Sequence, residues 1–136
     1  MSYGTAAALQ SAIYQHLQAD STLSGLVDAE IYDAVPTGAV PALYISLGPE
    51  TVTPAGDKTG EGAKHRFTVS VVAESGGFLA AKDVAVAVSD ALHGAAPTLG
   101  RGRIVQMRFL KATAQRVGAG TKRRIDLRFE ALVEDD

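Results

Sequence analysis

Hydrophobic positions along this chain follow two periods, one near 3.6 residues and one of two. In residues 4–19, Leu9, Ile13 and Leu17 recur at i, i+4 and i+8 with Ala6 and Ala12 beside them, while Gln10, Gln15 and Gln18 lie off the stripe. A single apolar stripe on the longer period predicts an amphipathic helix. Asp20-Ser21-Thr22 offers a stop and a fresh N-cap, so residues 23–27 are expected to form a short second helical turn. Ile31 and Tyr32 read as a brief strand before a loop carrying Pro36, Gly38 and Pro41. Leu43, Ile45 and Leu47 then alternate with Tyr44, Ser46 and Gly48, the pattern of a strand with one buried face.

Residues 53–62 hold three glycines and a proline and read as a long, mobile connection. The strand after them places His65, Phe67, Val69, Val71 and Ala73 on one face and Arg66, Thr68 and Ser70 on the other. Residues 74–77 break it. The period of 3.6 returns over residues 78–92, where Ala81, Val84, Ala85, Val88 and Leu92 share a face; Gly94 is a candidate C-cap and Pro97 prevents continuation. Residues 104–112 read as a strand with Val105, Met107 and Phe109 on one face. After Gly118-Ala119-Gly120, Ile125, Leu127, Phe129, Ala131 and Val133 point inward while Arg124, Asp126, Arg128 and Glu130 point outward. A slip of one residue buries those charges, so the pairing is strongly specified.

The order of elements predicts an α+β fold: a mostly antiparallel sheet of four or five strands with two helices on its apolar face and charge on the other. No repeat or linker divides residues 1–136, and the length suits one domain. The absence of cysteine removes disulfides and thiolate chemistry. No secretion signal and no bilayer-spanning apolar run is apparent, so a protein made in the cytoplasm and independent of membranes is expected.

Charge changes the picture more than composition does. Residues 1–57 carry six acids (Asp20, Asp28, Glu30, Asp33, Glu50, Asp57) and no lysine or arginine, a net −6. Residues 101–128 carry nine bases (Arg101, Arg103, Arg108, Lys111, Arg116, Lys122, Arg123, Arg124, Arg128) against Asp126 alone, and residues 129–136 return four acids. The total of −2 therefore hides a molecule with opposite electrical ends, able to attract copies of itself or to present different surfaces to different partners.

Chemistry is harder to find. Asp57-Lys58-Thr59-Gly60 matches a short phosphorylation motif but lacks every other part of that machinery, and a loop tip is the expected reading. Residues 118–122 (Gly-Ala-Gly-Thr-Lys) are flanked by strands rather than opening a helix, so they suit a hairpin turn, not a phosphate cradle. His16, His65 and His93 have no metal-ligand spacing, and His65 falls on an inward strand face. No catalytic, cofactor or metal site emerges, and no enzyme is expected. A phosphate-binding role for the basic stretch stays open, although no aromatic residues other than inward Phe109 interleave with it.

Several segments carry a resemblance: Ala6-Ala7-Ala8-Leu9-Gln10-Ser11-Ala12-Ile13-Tyr14, Ile31-Tyr32-Asp33-Ala34-Val35-Pro36 with Pro41-Ala42-Leu43-Tyr44-Ile45-Ser46-Leu47-Gly48, and Asp57-Lys58-Thr59-Gly60 before His65-Arg66-Phe67-Thr68-Val69. Ala87-Val88-Ser89-Asp90-Ala91-Leu92 and Arg123-Arg124-Ile125-Asp126-Leu127-Arg128-Phe129 extend it over nearly the whole chain. Together these resemble the DUF3168 family of phage-type tail proteins, including tail terminators encoded in alphaproteobacterial gene transfer agent clusters. The resemblance implies a structural virion protein at the head–tail junction. It implies a hexameric ring that caps the tail tube protein, meets the head–neck stopper or adaptor protein, and lets DNA pass through its lumen. A stopper or adaptor ring, or a small DNA-binding module, are the alternatives. No catalytic residue or cofactor comes with the family. The candidate assembly contacts are Asp57, Lys58, Thr59 and Glu61 in the glycine-rich loop, which is expected to order on contact with a partner. Arg101, Arg103, Arg108, Arg116, Lys122, Arg123, Arg124 and Arg128 form the basic set, with Asp20, Asp28, Glu30 and Asp33 as its acidic counterpart.

Overall fold

The structure, a computed structural model, describes residues 3–28, 30–38, 40–55, 62–74, 77–118 and 122–136. The loop contacts Asp57, Lys58, Thr59 and Glu61 lie outside the described residues. The chain runs α1 (Ala6–Ala19), α2 (Ser21–Val27), β1 (Ile31–Tyr32), β2 (Leu43–Pro54), β3 (Gly62–Ala73), α3 (Phe78–Leu92), β4 (Arg103–Val117) and β5 (Lys122–Glu134). The five strands form one sheet in the order β1-β2-β3-β5-β4. All neighbours are antiparallel except β1 and β2, which pair in parallel through Ile31–Ile45 and Tyr32–Ser46.

Among the described residues the helices number three, not two, because residues 21–27 complete α2 instead of a single turn. Asp20 sets it: the backbone there is extended, and its carboxylate accepts a hydrogen bond from the Leu23 N–H at 3.0 Å. This satisfies one of the donors a helix start leaves open. The helix α3 ends at Leu92; His93 takes the extended cap, and Gly94 follows at φ 78°. The residues 53–62 are not wholly loop, since Thr53 and Pro54 pair with Lys64 and Ala63, and the Ala55 N–H donates to the Gly62 carbonyl.

The core lies between the sheet and the helices. Leu9, Ile13 and Leu17 of α1, Leu23 and Val27 of α2, and Ala81, Val84, Val88 and Leu92 of α3 pack on Ile45, Val69, Val71, Ile125, Leu127 and Phe129. Phe67, Phe129 and Phe109 stand in register across β3, β5 and β4, with Phe67 and Phe129 in the core and Phe109 exposed at the β4 edge. Phe129 stacks on Phe67 (5.6 Å between centroids) and meets Phe109 edge-on (5.8 Å), both favoured geometries. The helix α3 packs over β3, β5 and β4, whereas α1 and α2 reach β1 and β2.

The strand β4 departs from the expected alternation. It carries two irregularities, between Ile104 and Gln106 and between Phe109 and Lys111. In each, one residue has no opposite number on β5, the signature of a bulge. Val105 is thereby turned out of the core, 44% exposed, and Ile104 takes the inward place the sequence pattern assigned to it.

Candidate functional site

The outer face of the sheet is built by the alternation that fills the core. Rows of side chains run across β3, β5 and β4 in register: Arg66, Glu130 and Arg108; then Thr68, Arg128 and Lys111; then Ser70, Asp126 and Thr113. Arg66 Nε donates to Glu130 at 2.8 Å, and Arg108 reaches its other oxygen at 3.1 Å. One carboxylate, itself almost fully buried, thus braces two strands flanking its own. The Arg66 hydrogen bond, then that of Arg108, holds the Glu130 carboxyl below the usual range against the opposing effect of burial. Ser70 Oγ donates to Asp126 at 2.6 Å, and Arg124 pairs with the same carboxylate at 3.0 Å. These rows bound a shallow concavity of about 620 Å³.

The basic set is therefore divided. Arg108, Arg124 and Arg128 line the outer face, and Arg103 reaches Glu134, its opposite number on β5. Lys122 pairs with Glu74 at 3.5 Å. Arg101 forks onto Asp135 with two contacts of 2.8 Å, which lowers the Asp135 carboxyl and raises the guanidinium. Arg116 and Arg123 lie on the helix side instead, where Arg123 sits over the Phe78 ring at 5.3 Å. The bulge after Phe109 causes this for Arg116: one extra residue reverses the parity of the rest of β4, so Arg108 and Arg116 part company, whereas Arg123 follows the unbroken alternation of β5. Arg101, Arg103, Arg108 and Arg124 meet acids from residues 126–136 of their own chain. Lys111, Arg116 and Arg128 have no carboxylate partner among the described residues.

The acidic counterpart gathers at the other edge, around α2 and β1. Asp20 caps α2, Glu30 accepts from the Tyr32 hydroxyl, and Asp33 accepts from Gln10 Nε2 at 2.6 Å. The Glu30 contact, with burial, pushes the Tyr32 phenol up to about 12. Asp28 differs: it ends α2 in the left-handed region at φ 52°, is exposed, and has no side-chain partner among the described residues.

Exposed apolar residues mark both edges. Leu26 and Val35 stand beside Asp28 and Asp33, and Leu79, Val86, Val105 and Phe109 stand along α3 and β4. At 75% exposed, Leu79 is the most open apolar side chain of α3. Two contacts escaped the sequence: His93 Nδ1 accepts from the Phe109 N–H at 3.1 Å, tying α3 to β4, and His16 Nε2 bonds the Ala91 carbonyl at 2.8 Å, tying α1 to α3. Both depend on tertiary proximity and leave no local signal.

His65 lies on the inward strand face as expected and is wholly buried, with Nε2 3.4 Å from Thr5 Oγ1 and Nδ1 4.0 Å from Glu50. Burial pushes its pKa down, with Glu50 partly opposing. No cluster of three or more metal-ligating side chains occurs among the described residues. No helix there is long and apolar enough to cross a membrane.

Two edges of opposite charge around a braced polar face are the features of a part that docks. The comparisons with known proteins agree with that character. The chain is similar over 97% of its length, and over 98% of the other chain, to a protein solved in the virion of a native gene transfer agent particle, with 54% identity and a TM-score of 0.92. No curated protein matched. The family described as tail completion protein gp17 matches residues 11–134. The chain belongs to the tail completion protein gp17 family.

Proposed function

We propose that this protein is the tail terminator of a phage-like particle of the gene transfer agent type, a ring subunit at the head–tail junction. Six copies close on the last ring of the tail tube protein, stop its growth, and offer their other surface to the head–neck stopper or adaptor protein. DNA passes through the lumen without sequence-specific contact. The observation that carries this reading is the separation of charge across one protomer: an acidic α2/β1 edge with Leu26 and Val35, and a β4/α3 edge with Phe109, Val86 and Arg116. A ring requires heterologous contact between two different surfaces of one subunit. Charge of opposite sign on those surfaces favours register and encounter. The internal pairing of most arginines suits a conduit, because spent cations do not hold passing phosphates.

The test is the mass of the purified protein in solution, alone and with its tail tube protein, at low and high salt. Sixfold assembly, alone or on the tube, is the expected result, weakening as salt rises. A monomer that ignores the tube and binds duplex DNA overturns the reading. Gold labelling of particles then separates the terminator from the stopper or adaptor level, since the terminator label falls directly on the tube end.

A further inference from the structure

In the β4–β5 ladder Lys111 lies directly opposite Arg128, with Thr68 on the far side of Arg128 in β3. Two like charges facing each other across an antiparallel pair destabilise it. The arginines beside the couple are offset: Arg66 and Arg108 by Glu130, Arg124 by Asp126. The Lys111–Arg128 couple pairs two cations directly across the ladder with no carboxylate among the described residues, and Arg128 is half-buried in the concavity with the Thr68 and Thr113 hydroxyls. Such an arrangement is a socket for one anion from outside the chain.

The neighbouring rows decide what kind of anion. Glu130 precedes the couple and Asp126 follows it on the same face of β5, each one row away. A nucleic-acid strand repeats its charge every few ångströms, so phosphates beside the first fall against these carboxylates. A single carboxylate side chain fits without that conflict. The first 57 residues of a second copy supply carboxylates without competing bases. Of the four acids at the α2/β1 edge, Asp20, Glu30 and Asp33 are engaged within their own chain, and Asp28 is exposed and unengaged. Asp83 and Asp90 are also exposed, but they sit on α3, over the same β3–β5–β4 half that carries the socket. A contact joining opposite edges draws on Asp28.

We propose that Lys111 and Arg128 form a binding socket for the Asp28 carboxylate of a neighbouring copy. This deepens the ring reading and rests on it. The test uses Lys111→Glu/Arg128→Glu, Asp28→Lys and their combination, each compared with wild type by sedimentation velocity, alone and with the tail tube protein. Circular dichroism checks folding, and Lys111→Gln/Arg128→Gln serves as a milder pair if the reversal unfolds the outer face. Each single-sided change is expected to weaken assembly about tenfold or more, and the combined charge swap to restore it. Wild-type assembly by the socket variants, or rescue by Asp83→Lys/Asp90→Lys instead of Asp28→Lys, overturns the assignment while leaving the ring intact. Unchanged rings with lost duplex-DNA binding, read by fluorescence anisotropy on a labelled duplex, identify a phosphate site and overturn it too. A wild type that never assembles removes the ring reading itself.

Discussion

Glu130→Gln removes one charge and almost no volume from the outer face, which makes it the sharpest probe of how that face is held. The carboxylate accepts from Arg66 Nε at 2.8 Å and from Arg108 Nη2 and Nε at 3.1 and 3.3 Å. Charge-assisted hydrogen bonds contribute roughly 1.5–3 kcal/mol each where solvent is excluded. Here only the acceptor is buried; Arg66 and Arg108 are 51% and 50% exposed, so water competes for both guanidinium groups. The expected loss is therefore about 1–3 kcal/mol in total, well short of the simple sum. The sign with pH follows from the lowered carboxyl. Stabilisation from Glu130 is complete above its ordinary value of 4.5 and disappears as pH falls through the lower folded-state value. Urea unfolding followed by far-UV circular dichroism suits a chain without tryptophan. Wild type and variant should differ by a constant amount above about pH 5 and draw together as pH falls below 4.5. A gap below about 0.5 kcal/mol at pH 7, or one of unchanged size at pH 3, refutes the brace.

Three further outcomes follow from the core and the backbone. Phe129→Ala opens the centre of the aromatic row, where the ring is fully buried, and should cost about 3–5 kcal/mol in urea unfolding; a loss under about 1 kcal/mol contradicts the packing. Gly102→Ala is expected to lose more than about 2 kcal/mol, because φ is +77° and a Cβ there meets the Glu134 carbonyl oxygen at 2.4 Å. A melting temperature equal to wild type contradicts it. His65 is buried with its pKa below the ordinary 6.5, so stability is full above that value and declines as pH falls toward the folded-state value. His65→Asn should flatten this slope near pH 6, measured by thermal melts across pH 5–7.5, and an unchanged slope assigns it to another group.

Much of this architecture was legible because core periodicity is a local signal. The stripes Leu9–Ile13–Leu17 and Ala81–Val84–Val88–Leu92, and the alternation through Phe129, depend only on the neighbours along the chain, and all face the core. Asp20 announced α2 through its capping chemistry, and the expected turn over 23–27 ends where the helix does, though the helix already starts at Ser21. The bulges of β4 were not legible: an unmatched residue exists only relative to a partner strand. That one gap misplaced Val105 and concealed the split of Arg116 from Arg108. The candidate site was legible as charge balance and not as pairing. Flanking Arg124 does hold Asp126, but Glu130 is held by Arg66 and Arg108 from two other strands, not by adjacent Arg128. Long-range ion pairs have no period to read.

The unequal edges of the sheet limit what this protein can become. An exposed strand edge is a template for adding further strands, and a chain presenting two matched edges can propagate without end. Here one edge is the two-residue β1 and the other is the fifteen-residue β4, interrupted twice by bulges. The edges differ in length and in regularity, so backbone-to-backbone stacking of one copy on the next finds no continuous ladder. Side chains are left to govern association. Open-ended growth by strand addition is thereby disfavoured.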